Sequence, residues 1–487
     1  MTVIGSIIGV VDPRHRHALI LNHTSAWVWN YSDNHTLPHT YSFMLPVDEP
    51  NSRDAAYPLG TLVSPSANSE EPGLVVVMRT TGRIAYWESV GSAAAEGLFA
   101  KRRGVEGKVQ LGPGETVTAI CSIEPAGFIL SLSSGNLAHL SLRDTAGRPG
   151  ISTTHLKESG FISFLGAFRA GSNRREIVAV RAGRTGRMGE RELVVATAKC
   201  GFSKWYVQRG GNYETKPEAD LREIMVRAVE RAIPSAVDRN RETFVALDVA
   251  IATNTENDTN EGGEPDIDLF VLTGYGHDED NAIYSLLEIT LKQGGRGVVK
   301  AVHPIKCYSM PIGHSPYAKP RLYIPKPRNT AFIIFPRAVI VLSNLRSNVE
   351  GAQPPDDDMM DVDRQLLGEE LQEEKRVIFE DVIDFRGDAR IDIVGSGGED
   401  VLIETFRPEG NFGHLSEEIL QKKIGNPGVV LIARGAGVLR VEAFDADENK
   451  SGSIVASPET MVKSKIEQAV FFGHIGQVRT QLLLTLS

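Results

Sequence analysis

Cysteine is scarce in this chain: Cys121, Cys200 and Cys307 are the only three, and no CxxC spacing joins them. An odd, scattered set excludes a disulfide framework and a zinc-ribbon site. No run of about 18 apolar residues occurs, which excludes a membrane-spanning helix. Met1 to Val11 lacks a basic region and a small-residue cleavage site, so no secretory signal is read there. The five N-x-S/T sequons at Asn22, Asn30, Asn34, Asn257 and Asn449 then read as chance matches. An intracellular, reducing compartment is expected. Basic charge is not in excess: the formal net charge is -10, which argues against direct nucleic-acid binding.

Chemical signatures are missing as well. Gly112-Pro113-Gly114 lacks the Lys-Ser/Thr of a P-loop, and Gly395, Gly397 and Gly398 do not open a helix as a dinucleotide fingerprint does. Neither a G-x-S-x-G elbow nor an H-E-x-x-H helix exists. In Arg14-His15-Arg16-His17, with His23 nearby, the interleaved arginines repel a cation and carboxylate support is missing. Asp356 to Asp358 lacks the turn glycine and distal glutamate of a calcium loop. No pair of titratable groups stands out as acid and base. The expectation is a non-enzyme without metal or cofactor.

What the chain does have is uneven charge and a repeat. Residues 350–375 hold ten acids and two bases, a net of −8, and residues 254–265 add four acids without a base. The remaining body is near neutral, at +2. Both acidic stretches read as disordered loops, since they offer too little apolar area to offset ordering entropy. They suit either a solubilising or a docking role.

The repeat is a short apolar run, a turn, and an alternating strand rich in aromatic and β-branched residues. It occurs at Ala18–Tyr31, Gly73–Trp87, Gly127–Leu142, Glu192–Tyr206, Leu269–Ile289, Ala331–Leu342 and Gly428–Phe444. Each copy has hairpin signals. One hairpin cannot bury its own faces. Seven of them, with weaker strands at Thr116–Ile123, Phe244–Ile251 and Val377–Phe385, predict radial packing. The fold class is therefore all-β: a seven-bladed β-propeller over residues 1–457, with a few inserted helices. Two packed β-sandwiches are the alternative. The runs apolar on both faces are expected nearest the centre.

Two helices are expected on this background. Glu218–Ile233 aligns Leu221, Ile224, Met225, Ala228 and Val229 on one face before Pro234. Pro458–Phe472 fits a helix leaving the propeller, within a C-terminal segment 458–487 that ends on an apolar Leu482-Leu483-Leu484 and suggests a longer parent.

A different stretch carries a functional hypothesis. On a helix drawn through Gly150–Arg169, Phe161, Phe164, Leu165 and Phe168 fall on one narrow apolar face. The other side is mostly Ser and Thr, and Gly160 and Gly166 each weaken a helix by ~1 kcal/mol relative to alanine. Such a segment folds when its face is buried, as in a helix that senses lipid-packing defects. A core-packed helix, or a strand over Phe161–Phe168, fits the same residues. The next stretch, Arg169–Arg191, has seven arginines and two acids. It suits phosphates, or equally a solvated strand edge.

Three strings then point to a family. Trp27-Val28-Trp29-Asn30-Tyr31, Gly82-Arg83-Ile84-Ala85-Tyr86-Trp87 and Ser464-Lys465-Ile466-Glu467-Gln468-Ala469-Val470-Phe471-Phe472-Gly473 resemble the N-terminal β-propeller of the fungal nucleoporin 133 family. The related nucleoporin 155/170 family shares part of the pattern. The resemblance spans nearly the whole chain. It implies a scaffold in the Y-shaped outer ring of the nuclear pore, at the nuclear envelope, serving protein and mRNA transport. It implies an α-helical stack beyond Ser487 and, as partners, other Y-complex nucleoporins. It also implies weak peripheral contact with curved membrane through a lipid-packing sensor in a propeller loop. The matching residues are those of segment 150–170: Leu156, Phe161, Ile162, Phe164, Leu165 and Phe168. Lys157 and Glu158 depart from the pattern and dilute its Ser/Thr/Gly face. The 155/170 type implies docking to partner nucleoporins instead of lipid.

Overall fold

The computed structural model describes residues 7–33, 38–46, 56–67, 69–95, 104–156, 176–186, 189–252, 266–276, 281–313, 319–345, 378–388, 390–400, 402–406, 420–424 and 426–443. They form seven consecutive antiparallel blades and one separate two-stranded ribbon. Blade 1 holds β1 (Ile8–Asp12), β2 (His17–Leu21), β3 (Ser25–Asn30) and β4 (Thr40–Met44). Blade 2 holds β5 (Leu59–Val63), β6 (Gly73–Val77), β7 (Arg83–Trp87) and β8 (Val105–Lys108). Blade 3 holds β9 (Val117–Ser122), β10 (Phe128–Leu132), β11 (Leu137–Arg143) and β12 (Pro149–Leu156). Blade 4 holds β13 (Ile177–Thr185), β14 (Arg191–Thr197), β15 (Gly201–Val207) and β16 (Tyr213–Thr215), with β17 (Ala219–Asp220) also paired to β15. Blade 5 holds β18 (Phe244–Ile251), β19 (Ile267–Tyr275), β20 (Ile283–Lys292) and β21 (Arg296–Ile305). Blade 6 holds β22 (Arg321–Tyr323), β23 (Thr330–Phe335), β24 (Ala338–Ser343) and β25 (Phe379–Asp384). Blade 7 has the order β26 (Asp392–Glu399), β29 (Gly428–Arg434), β30 (Gly437–Glu442), and the ribbon β27 (Leu402–Phe406) with β28 (Leu420–Ile424) is inserted between its first two strands.

All seven hairpins expected from the repeat fall on the second and third strands of the blades. The register follows the apolar pattern, as in Leu19↔Val28 and Val76↔Ala85. The position of the doubly apolar runs needs correction. The first strand of each blade, not the most apolar one, lies nearest the axis: β1 touches β5 and β26, and β13 touches β9 and β18. The fully buried strands β6, β10 and β23 are second strands, one place further out. A second strand has partners at both edges and a neighbouring blade on each face. A first strand leaves one edge to the central channel.

Apolar packing closes the ring. A separate buried cluster sits between each pair of neighbouring blades. Leu19 and Leu21 meet Leu74 and Val76 between blades 1 and 2. The series runs round to Val11 and Ala18 against Val430 and Ile432, between blades 1 and 7. This circular arrangement excludes the two-sandwich alternative.

The only α-helix among the described residues, α1 (Arg222–Ala232), starts four positions later than expected, because Ala219–Asp220 joins β15 as a strand. It packs Leu221, Met225, Val226 and Val229 into the core between blades 4 and 5, beside β21. Ile224, expected inside, is 46% exposed, because the helix is rolled to turn Val226 inward. Pro234 opens a short 3-10 turn, Pro234–Ala236. Residues 458–487, with their expected helix, lie outside the described residues, as do the two acidic stretches.

One buried histidine makes the body sensitive to acid. His139 on β11 is buried, and its Nε2 is 2.7 Å from the Ala126 carbonyl oxygen. Burial lowers its pKa, outweighing the opposing bond to Ala126. A depressed folded value means that the unfolded chain takes up the proton first. Its stabilising share is then present above the unfolded pKa of about 6.5 and is lost as the pH falls below it. Chemical denaturation at stepped pH should show stability falling from that point, and His139→Gln should flatten that part of the profile.

Candidate functional site

The segment singled out by sequence joins two blades. Its first residues are not helical: Gly150 to Leu156 belong to β12, the outer strand of blade 3, paired with β11. The β-branched Ile151, Thr153 and Thr154 fit that strand, and Thr153 Oγ1 donates to the Lys108 carbonyl oxygen at 3.2 Å. Leu156 is only 2% exposed and packs with Ile129, Val180 and Trp205 in the core between blades 3 and 4. It therefore leaves the set of candidate lipid contacts. Phe161, Ile162, Phe164, Leu165 and Phe168 lie outside the described residues.

The two ends of this connection are well defined. In a four-stranded meander, the first-to-second and third-to-fourth links emerge on one face of the ring. The second-to-third turns and the crossings to the next blade emerge on the other. The connection 157–175, from β12 to β13, is a crossing. Two bonds at its far end agree with this. The Ala198 N–H, in the β14–β15 turn, donates to the Glu176 carbonyl oxygen at 2.8 Å. The Glu176 carboxylate also pairs with Lys319, which precedes β22 at another crossing. Helix α1 lies in the crossing from blade 4 to blade 5. The connections holding 254–265 (β18 to β19) and 350–375 (β24 to β25) join strands at the opposite face.

The arginines after the segment do not form a phosphate-facing row among the described residues. Arg181 pairs with Asp248, and its Nε donates to the Val249 carbonyl oxygen at 2.7 Å. Arg191 donates to Thr185 Oγ1. Arg184 and Arg191 sit in the paired strands β13 and β14. The strand-edge reading describes Arg184 and Arg191, whereas Arg181 is held in the ion pair with Asp248.

Asp248 is a residue whose role the sequence reading missed. It is 4% exposed in the otherwise apolar strand β18. It accepts from the Val249 N–H and, on β22 of the next blade, from the Leu322 N–H, both at 2.8 Å. Arg181 and Asp248 thus tie together the innermost strands of blades 4, 5 and 6. A lone acid inside Phe244–Ile251 was the available signal.

The other candidates have structural partners. His15 Nδ1 lies 2.9 Å from Asp12 Oδ2, and His17 Nδ1 lies 2.5 Å from the His15 carbonyl oxygen. No cluster of three His, Cys, Asp or Glu side chains suited to a metal occurs among the described residues. Burial pushes the Cys200 thiol up to about 12, away from nucleophilic chemistry.

Comparisons with known proteins agree with this architecture. The sequence profile of the nucleoporin family described as Nup133 N terminal like matches residues 4–440. Nucleoporin NUP133 of Chaetomium thermophilum is 37% identical over 485 residues, covering 94% of this chain and 33% of that protein. Nucleoporin nup131 of Schizosaccharomyces pombe is 24% identical over 440 residues, covering 88% of this chain and 32% of that protein. The chain thus spans about a third of the length of these relatives. The crystal structure of the Vanderwaltozyma polyspora Nup133 β-propeller domain superposes with a TM-score of 0.60 at 17% identity, covering 88% of this chain and 92% of that one.

Proposed function

Because the chain belongs to the Nup133 N-terminal-like family of nucleoporins, we propose that it is a structural module of the Y-shaped outer ring of the nuclear pore, and that its propeller meets the curved nuclear envelope through Phe161, Ile162, Phe164, Leu165 and Phe168. Its role is scaffolding and not catalysis. It holds the ring against the membrane and so supports nucleocytoplasmic transport of protein and mRNA. Its partners are the other nucleoporins of that complex.

One observation carries the membrane reading: the connection bearing the apolar stripe begins and ends on a single face, opposite the two acidic connections. The strands next to these connections, six to nine residues long, separate the faces by roughly 20–30 Å at ~3.3 Å per residue. That is at least two Debye lengths, each ~8 Å at physiological salt. The acidic stretches then repel an anionic bilayer little when the other face is turned to it. A weakly charged segment with large apolar side chains binds where curvature opens voids between headgroups.

Flotation with liposomes of small and large diameter, at matched lipid and moderate salt, tests the proposal. The chain should float with the small ones and hardly with the large. The combined Phe161→Asp, Phe164→Asp, Leu165→Asp and Phe168→Asp variant should lose that binding while its melting temperature stays within a few degrees. Unchanged binding by the variant would overturn the membrane reading. Docking to partner nucleoporins, as in the 155/170 type, would then take its place.

A further inference from the structure

The face opposite the 157–175 connection holds a cleft of about 450 Å³ near the mouth of the channel. Arg14 of blade 1, Ser64 beyond β5 of blade 2, Glu124 and Arg143 of blade 3 and Arg209 of blade 4 all line it. They are far apart in sequence and lie in or beside first-to-second and third-to-fourth links, so the ring alone brings them together.

The charges in this cleft do not cancel. Arg143 donates Nη2 to the Ser64 carbonyl oxygen at 2.9 Å and interacts with the buried Tyr86 hydroxyl, neither of which carries a charge. Among the described residues, Arg209 reaches only the Asp144 carbonyl oxygen, at 3.3 Å. Neither forms an ion pair among the described residues. Arg14 is matched by Asp12, at 3.3 Å. The one carboxylate in the lining, Glu124, is held by neutral donors: the Ser64 N–H at 3.0 Å, Ser64 Oγ at 2.9 Å and Ser122 Oγ at 3.2 Å. Two guanidinium groups therefore flank a concave site whose one carboxylate, Glu124, is paired with neither of them.

We propose that this cleft docks an acidic peptide segment of a partner protein. A guanidinium fork matches a carboxylate in two parallel hydrogen bonds. Glu124 keeps acceptor capacity that a peptide N–H satisfies and a bare phosphate cannot. Nucleic acid fits poorly, since a polyphosphate backbone needs a continuous basic track and this site is a single hollow containing an acid. The site lies on the face opposite the two ends of the 157–175 connection, so occupancy of one need not block the other.

Fluorescence anisotropy of the full chain with a short labelled peptide of alternating Asp and Gly, and with its Asn counterpart, tests this. The Asp peptide should bind and the Asn peptide should not. Arg209→Gln should weaken binding about tenfold or more, and Arg143→Gln likewise. Arg209 is exposed, so its variant keeps the fold even if Arg143→Gln is destabilised. Arg227→Gln, on α1, should change nothing. Equal binding of the Asn peptide, or full binding by Arg209→Gln, would overturn the proposal. Displacement by inorganic tripolyphosphate at matched charge would replace it with a general anion site.

Discussion

Asp248→Ala should destabilise the propeller by about 2–3 kcal/mol: the buried carboxylate's donors lose their acceptor, while the Arg181 charge it leaves is partly solvated, which discounts the ~3–5 kcal/mol of a fully buried pair. The expectation follows from where the pair sits. Arg181 belongs to β13, Asp248 to β18, and the Leu322 N–H to β22, so one carboxylate serves three blades. Burial raises the Asp248 pKa, while Arg181 and the N–H groups of Leu322 and Val249 pull it down. Burial also works against the Arg181 charge, yet Asp248 holds its pKa above the ordinary value. Removing the acid leaves the Arg181 charge without its partner, although Nε keeps the Val249 carbonyl oxygen, and takes the acceptor from one backbone N–H on each of two strands. Asp248→Asn keeps an acceptor and should cost less. The double change Arg181→Met with Asp248→Leu removes both charges and should recover part of the loss. Guanidinium titration of the four proteins measures this. If Asp248→Ala were no worse than a typical surface change, within about 0.5 kcal/mol, the pair would not be a staple.

The same residues show how far the fold was legible. The second and third strands of every blade were readable because both environments leave a pattern. A strand covered on both faces reads as an unbroken apolar run such as Leu74-Val75-Val76-Val77, and its partner ends in aromatic or β-branched residues such as Tyr86-Trp87. First strands carry weaker signals. β22 is three residues long and β26 is rich in glycine, so neither displays alternation. Ile224 shows a related limit: an ideal helical face does not fix the roll of the helix against its blade, and α1 turns Val226 inward instead. In Gly150–Arg169, the β-branched Ile151, Thr153 and Thr154 marked a strand up to Leu156, but a helix drawn through the whole stretch to align Phe161, Phe164, Leu165 and Phe168 took those residues in as well. The arginine cleft left no local mark. Arg14, Arg143 and Arg209 meet only because links from four blades converge near the channel, and no short window of sequence contains that.

Gly395→Val should loosen the ring at one place, the junction of blades 7 and 1. Among the described residues, blade 1 is built wholly from the beginning of the chain and blade 7 wholly from its later part, so no strand shared between them locks this junction. It rests on the cluster of Val11, Ala18, Val430 and Ile432, on Tyr31 Oη donating to Glu399 at 2.7 Å, and on the close approach of β1 to β26. That approach depends on Gly395: a Cβ there would lie 2.5 Å from the carbonyl carbon of Gly9 and 2.7 Å from its Cα and oxygen. Backbone cannot swing aside as a side chain does, so the strands must part. Overpacking costs typically ~1–3 kcal/mol, and the upper end is expected where the obstacle is main chain. Gly9→Ala is the informative contrast. Its nearest obstacle is the Ile432 Cδ1 methyl at 2.9 Å, which can rotate, although Gly395 Cα follows at 3.1 Å. Gly9→Ala should therefore cost about 1 kcal/mol or less than half of the loss at Gly395. Limited proteolysis of Gly395→Val should cut first beside β1 and β26, with blades 3 to 5 resistant. Equal costs at the two glycines, or first cuts among the middle blades, would mean that the seam is held by something other than this backbone contact.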